Sequence, residues 1–188
     1  PLSASLLLLV NTCQMPAYSK ASPTVFFLIN TQTHSQSRIK LSASIKETPR
    51  GTMFSKMFWL NEPTTTDDGT PPHYTVDDAA LTIRPPGKRD FWQRTFYTPE
   101  HLADNAPALL RELPDPSTSG DVTISCTMHL DATHQFDQGG LMLRVDEERW
   151  VKAGIEYFDG AANISCVVTN AGFSDWSTQP LLTPEAST

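Results

Sequence analysis

Residues 141–169 of this 188-residue chain read LMLRVDEERWVKAGIEYFDGAANISCVVT, and this stretch decides the fold. Apolar and polar residues alternate in three runs, at 141–145, 149–157 and 164–169, with polar or glycine-containing breaks between them. A period of two is typical of β-strands that bury one face. Residues 121–130 alternate in the same way, so the region predicts four consecutive strands.

The apolar faces of these strands also predict how they pair, because a slip of one residue would turn every side chain to the opposite face. Matching Leu143 with Val151 predicts a hairpin with the three-residue loop 146–148. Matching Ile155 with Cys166 predicts a second hairpin with a six-residue loop. The resulting antiparallel meander has one apolar face and one mixed face. Because the apolar face requires a second sheet, the sequence predicts an all-β, antiparallel β-sandwich.

Composition and charge restrict the classes of partner. The net charge is −7, from 14 basic and 21 acidic residues, which argues against binding to nucleic acid. No apolar run approaches the ~20 residues of a membrane-spanning helix, so no membrane partner is expected. Three cysteines cannot close a disulfide framework, which favours a reducing compartment and a cytoplasmic location, with secretion as the alternative.

The first part of the chain differs from the rest in charge and pattern. Residues 1–50 carry five basic residues and one acidic residue, whereas residues 51–188 carry nine basic and 20 acidic residues. The first part contains two short apolar runs but no sustained period. We therefore predict a disordered or non-native leader over 1–52, a domain over 53–180 and a tail over 181–188.

Several longer motifs resemble a known family. They are WLNEP at 59–63, DFWQRTFY at 90–97, FDQGGLMLR at 136–144, ERWVKAGIEY at 148–157 and FSDWS at 173–177. Together they resemble the DUF1349 family, of fungal type, within the concanavalin A-like lectin/glucanase superfamily. The resemblance implies a jelly-roll sandwich and no assigned reaction. Because family members continue with further strands beyond the last motif, it also implies a sandwich that is incomplete at the C-terminus.

The mixed outer face carries the candidate ligand site. The second register places Glu156 opposite Ser165 on this face, and Trp150 supplies an aromatic ring. An aromatic ring beside hydrogen-bonding groups suits a sugar, whose C–H face stacks on the ring. The candidate ligand-binding residues are Arg144, Trp150, Lys152, Glu156, Ser165 and Trp176. Alternatively, the face is solvated, and Lys152 and Glu156 form a surface pair worth ~0–1 kcal/mol.

Residues 173–177 are predicted to form a loop. Either its aromatic side chains pack on the sandwich and hold the loop there, or the loop forms the rim of a binding site. Cys126 and Cys166 both point inward in this interpretation, as free cysteines that behave like small apolar side chains.

Catalytic and metal chemistry have weak support. Glu156 is the only carboxylate that the pattern places on the outer face, whereas glycosidases use a pair. His129, Asp131, His134 and Asp137 lie close in sequence but lack a metal-ligand spacing, so we expect no catalytic residues, metal or cofactor.

Three functions follow from the sequence. The first is a non-catalytic module that binds a carbohydrate or a small polyol. The second, implied by the fungal-type resemblance, is a regulatory protein–protein interaction module in carbohydrate metabolism, with a metabolic enzyme as its partner. The third and least favoured is a glycoside hydrolase.

Overall fold

The computed structural model describes residues 2–10, 24–30, 38–45, 57–63, 73–76, 80–112 and 122–181. Regular secondary structure in these ranges is β-strand throughout, and all strand pairs are antiparallel. Within them, no helix has the length and apolar character needed to cross a membrane. The predicted all-β, antiparallel sandwich is confirmed, whereas the jelly-roll connectivity stays a prediction.

The strands in chain order are β1 (Leu2–Val10), β2 (Thr24–Asn30), β3 (Arg38–Ile45), β4 (Phe58–Leu60), β5 (His73–Val76), β6 (Ala80–Arg84), β7 (Phe91–Arg94), β8 (His101–Asp104), β9 (Ala108–Glu112), β10 (Val122–Asp131), β11 (Gln138–Asp146), β12 (Arg149–Phe158), β13 (Ala161–Asn170) and β14 (Phe173–Pro180). They form a five-stranded sheet in the order β1-β10-β3-β6-β5 and a seven-stranded sheet in the order β14-β13-β12-β11-β2-β9-β4. Strands β7 and β8 form a separate hairpin.

The seven-stranded sheet carries a packed apolar layer on each face. One face packs on the five-stranded sheet around Leu141 and Ile155, which meet Met128 and Leu130 of β10. The other face packs under the β7–β8 hairpin. Its apolar cluster contains Phe91, Trp92, Ala103, Ala106, Ala108, Leu110, Met142, Trp150 and Val167. The molecule therefore has a third layer that the meander pattern does not predict.

The first predicted hairpin register is confirmed, with Leu143 opposite Val151. Its loop differs by one residue, because a bulge between Arg144 and Asp146 places Asp146 opposite Arg149. The bulge shortens the connection between the two strands to two residues, Glu147 and Glu148.

The second predicted register is wrong by two residues. Ile155 lies opposite Ile164 rather than Cys166, and Phe158 lies opposite Ala161. The loop is Asp159-Gly160, both with positive φ (49° and 77°), as the tight I′ hairpin turn requires. Turn chemistry thus decides the register. A slip of two residues keeps the same faces, which explains why matching apolar positions alone did not detect it.

Residues 173–177, predicted as a loop, lie in the edge strand β14, which pairs along β13. The connection between β13 and β14 is Ala171-Gly172, again with two positive φ values (50° and 75°). The side-chain burial of β13 also differs from the prediction, because Val167 is 2% exposed whereas the predicted inward residue Val168 is 44% exposed. The hairpin layer covers the face that carries Val167.

Three of the described strands, β1 to β3, lie within residues 1–52. β1 and β3 flank β10 in the five-stranded sheet, and β2 lies between β11 and β9 in the seven-stranded sheet. The two short apolar runs of this segment fall within β1 and β2. The division of the chain at residues 53 and 180 stays a prediction.

Candidate functional site

The β7–β8 hairpin covers half of the face that the sequence predicts to be open. Trp150 is 3% exposed there, and its ring lies 6.2 Å from that of Phe91. Its indole N–H donates to the carbonyl of Glu147 at 3.2 Å. The predicted open stacking surface on Trp150 is therefore wrong, because the hairpin covers the ring.

Arg144 lies in the same covered half and holds the hairpin to the sheet. Its two terminal nitrogens donate to both carboxylate oxygens of Asp104, at 2.8 Å for Nη2 to Oδ2. Its guanidinium also lies 5.7 Å from the centroid of the Phe91 ring. A bidentate pair of this kind fixes geometry as well as charge, so the side chain serves the contact between the two layers.

Lys152 lies where the covered half ends. Its Nζ donates to Asp90 Oδ1 and to the carbonyl of Phe91, each at 2.9 Å. The side chains of Lys152 and Asp90 are 5% and 7% exposed, so this ion pair is buried. The alternative of a solvated surface pair between Lys152 and Glu156 is accordingly not what the structure shows. Lys152 pairs instead with a residue 62 positions earlier in the chain.

Beyond this ion pair the hairpin leaves the sheet uncovered, and a cleft opens that we call the aromatic cleft. Its volume is about 80 Å³. The floor is polar and consists of Asp90, Gln138, Lys152 and Glu156. One wall comes from the β7–β8 hairpin, with Trp92 on β7 and Phe96 and Tyr97 in the connecting loop. The other wall consists of Phe136, Phe158 and Trp176, on and beside the seven-stranded sheet.

Glu156 is the centre of the hydrogen bonding in the floor. The indole N–H of Trp176 donates to Glu156 Oε2 and to Ser165 Oγ, each at 3.1 Å, and Gln138 Nε2 lies 3.4 Å from Glu156 Oε1. Burial raises the pKa of Glu156, against the lowering effects of the Ser165 hydrogen bond, the Lys152 charge and the Trp176 hydrogen bond. The floor therefore contains a carboxyl group whose ionisation is opposed by desolvation.

The two walls are built differently. Phe136, Phe158 and Trp176 form a compact cluster, with ring centroids 5.0 Å apart for Phe158 and Trp176. On the hairpin side, Phe96 is 81% exposed and contacts only the edge of Tyr97 among the described rings, at 5.1 Å. Burial raises the pKa of Tyr97, and the charges of Asp90 and Glu156 raise it further. One wall is thus fixed by packing, whereas the other presents a free aromatic ring to solvent.

Two glycines let β11 and β12 approach closely beside the floor. A Cβ on Gly154 would lie 1.9 Å from the carbonyl oxygen of Gly139, and a Cβ on Gly140 would lie 2.0 Å from that of Ala153. Glycine is required where another backbone comes this near.

Of the six predicted ligand residues, the structure brings four together at the aromatic cleft. Lys152, Glu156 and Trp176 line it, and Ser165 is hydrogen-bonded to Trp176. Arg144 and Trp150 lie in the covered half. That any of these residues bind a ligand stays a prediction.

Sequence reasoning missed Asp90, Gln138 and the other five aromatic residues of the cleft. A signal for Gln138 was present, because extending the first register along β11 places it opposite Glu156, as the structure does.

Two further kinds of chemistry to consider in the described part of the chain are metal binding by its side chains and the reactivity of its thiols. No group of three or more His, Cys, Asp or Glu side chains there is arranged to hold a metal ion. Asp137 Oδ2 instead accepts the backbone N–H groups of Thr133 and His134 at 2.9 and 3.0 Å. Cys126 and Cys166 are free thiols, and burial raises the pKa of Cys126 to about 12.

Comparison with known proteins finds two curated relatives. The chain is 34% identical over 129 residues to "Regulation of enolase protein 1" of Saccharomyces cerevisiae, covering 69% of this chain and 57% of that protein. It is 29% identical over 115 residues to an uncharacterised protein of Emericella nidulans, covering 58% of this chain and 54% of that protein. The chain therefore spans a little over half the length of these relatives.

No solved structure gives a significant match to this chain. A family described as "Protein of unknown function (DUF1349)" matches residues 59–188, which include every residue of the aromatic cleft. The match covers more than half of the chain, and the chain belongs to the DUF1349 family.

Proposed function

We propose that the chain is a non-catalytic binding module whose recognition site is the aromatic cleft, and that its ligand is a small hydroxyl-rich molecule, a carbohydrate or a polyol. The observation that carries this proposal is that two groups of aromatic rings and a set of hydrogen-bonding side chains line the same cleft. Aromatic faces accept the C–H faces of a sugar ring, and a few placed polar groups fix its orientation.

The floor offers both donors and acceptors to such a ligand. The carboxylates of Asp90 and Glu156 accept hydrogen bonds, and the amide of Gln138 does both. The cleft is small, at about 80 Å³, so we expect a small ligand.

The test is a calorimetric or NMR titration of the whole chain with a panel of monosaccharides and polyols, repeated with Phe96→Ala. Phe96 is 81% exposed, so its removal should change stability by no more than about 0.5 kcal/mol while weakening binding about fivefold or more. The matched control is Leu102→Ala on the same hairpin, because Leu102 is 57% exposed and does not line the cleft. Equal losses in the two variants, or no binding by the parent chain, would refute the proposal.

A second function is regulation of a metabolic enzyme by protein–protein contact. It is supported by the yeast relative, whose name states that it regulates enolase. The structure adds a surface suited to contact, since Phe96 and Leu102 are both exposed on the β7–β8 layer. The test is a binding and activity assay with purified enolase and the whole chain. A change in enolase activity that is lost in Leu102→Ala would favour this function over sugar binding.

The third function is hydrolysis of a glycoside, for which the structure places a second carboxyl group beside Glu156. Asp90 joins Glu156 in the cleft, so two carboxyl groups are present, although Asp90 is paired with Lys152. Turnover of a glycoside that is abolished by Glu156→Gln would establish hydrolysis and replace the non-catalytic proposal.

A further inference from the structure

The charges in the floor of the aromatic cleft do not balance. Asp90 and Glu156 supply two carboxyl groups, and Lys152 supplies one ammonium group. Lys152 Nζ lies 2.9 Å from Asp90 Oδ1, which matches these two charges with each other. In the described part of the chain no cation comes within salt-bridge distance of Glu156, and its close partners are the neutral groups of Trp176, Ser165 and Gln138. An ionised Glu156 is therefore an excess negative charge.

The surroundings of Glu156 make this excess costly. The residue is 4% exposed and faces charged or titratable groups from two sides: Lys152 on its own strand, and Asp90 and Tyr97 on either side of β7. Its remaining partners are neutral: Gln138 on β11 and Ser165 on β13, the two strands beside β12, and Trp176 on β14. A buried carboxylate without a counter-ion is strongly disfavoured, so a ligand that brings a positive charge would relieve the cost.

The walls of the cleft also favour a cation. Aromatic faces attract ammonium groups through the ring quadrupole, and Trp is the strongest of them. Trp176 turns its N–H edge to Glu156, whereas Phe96, which also lines the cleft, is 81% exposed and leaves its ring open to a ligand. Lys152 opposes a second cation only in part, because Asp90 offsets its charge.

We propose that the ligand of the aromatic cleft carries a protonated amino group that pairs with Glu156, which makes amino sugars and other aminated polyols its chemical class. This inference rests on the proposed function, because it assumes that the cleft binds a small hydroxyl-rich molecule. It adds the charge of the ligand and names the residue that selects it.

The test compares matched pairs of sugars by NMR titration of the whole chain near neutral pH. The pairs are glucosamine with glucose, galactosamine with galactose and mannosamine with mannose, and the N-acetyl derivatives keep the bulk without the charge. We expect one amino sugar to bind about tenfold more tightly than its neutral partner. In Glu156→Gln the preference should fall to about one, because the variant keeps the shape and removes the charge.

The control variant is Glu147→Gln, which removes the same charge from an exposed turn and should leave the preference unchanged. Amino-sugar affinity should also fall as the pH is lowered through the pKa of Glu156, whereas neutral-sugar affinity should not. Equal binding of both members of every pair would overturn this inference and leave the proposed function standing. Absence of binding by every sugar would overturn both. A preference that survives in Glu156→Gln would overturn the role of Glu156.

Discussion

The two halves of the hairpin-covered sheet face are built from the same strands and have different surroundings. In the covered half, Met142 and Trp150 pack under Phe91 in an apolar layer. In the open half, four residues away along β11 and six along β12, Gln138 and Glu156 form part of a polar floor beside aromatic walls. The strand period is the same in both halves. The difference comes from where the hairpin lies, so the cleft is the part of the face that the hairpin leaves uncovered.

Lys152 marks the boundary between the two halves, and its removal should have the largest effect. Lys152→Met leaves Asp90 buried beside Phe91 without its counter-ion, and we expect a loss of about 3–5 kcal/mol in the free energy of unfolding. Urea denaturation measures this loss. Ligand binding at the cleft should weaken as well, because the hairpin wall loses its attachment beside the cleft, although Arg144 and Asp104 still join the hairpin to the sheet.

The control for Lys152→Met is an ion pair that lies at the surface. Arg94 and Glu148 are 3.5 Å apart, with side chains 32% and 50% exposed. Glu148→Gln should cost at most about 1 kcal/mol. If Lys152→Met is no more destabilising than this control, the buried ion pair does not help to hold the hairpin on the sheet.

Gly154→Ala should have an intermediate effect. The new Cβ would lie 1.9 Å from the Gly139 carbonyl, so β11 and β12 must separate, and overpacking of this kind costs about 1–3 kcal/mol. Gly160→Ala is the comparison variant, because its Cβ meets nothing within 4 Å and the cost comes only from a φ of +77°. Both variants should melt at lower temperature, but only Gly154→Ala should weaken ligand binding. Unchanged binding in Gly154→Ala would show that the floor tolerates strand movement.

The smallest expected effect is a pH dependence of stability that comes from Glu156 in the open half. Burial raises the pKa of folded Glu156 above its ordinary value of 4.5. Between 4.5 and the raised pKa the folded chain holds more protons than the unfolded chain, so its stability should fall as the pH rises through this window. Glu156→Gln should lack this fall. Urea midpoints of both proteins at a series of pH values test it, and parallel curves would contradict the burial of an ionisable floor.

The sequence alone predicts the sandwich and the first hairpin because both depend on local alternation. Leu143 opposite Val151 follows from side-chain period, and the same period placed Lys152 and Glu156 on one face. The error at the second hairpin was also avoidable, since Asp159-Gly160 alone fixes the two-residue turn and brings Glu156 opposite Asn163.

The hairpin layer could not be predicted in this way. The partner of Lys152 is Asp90, 62 residues earlier, and the motif that contains Asp90 is too short and aromatic to reveal which surface it covers. The same holds for the contact between Gln93 and Ser174, which are 81 residues apart. Period identifies a face of a sheet, but it does not identify what packs on that face. For this reason the candidate residues divided into Arg144 and Trp150, which the hairpin buries, and the four that reach the cleft.

The attachment of the β7–β8 hairpin has a consequence for the order of folding. Strands β11 to β14 pair with one another only as chain neighbours, through short turns. The part of the floor on these strands, Gln138, Lys152 and Glu156, can therefore form from contacts that are local in sequence. The hairpin wall joins it through contacts that close loops of 62 and 81 residues. Distant contacts form slowly because loop closure must precede them. We therefore expect the recognition site to be among the last parts of the molecule to mature, after the sheet that supports it has already formed.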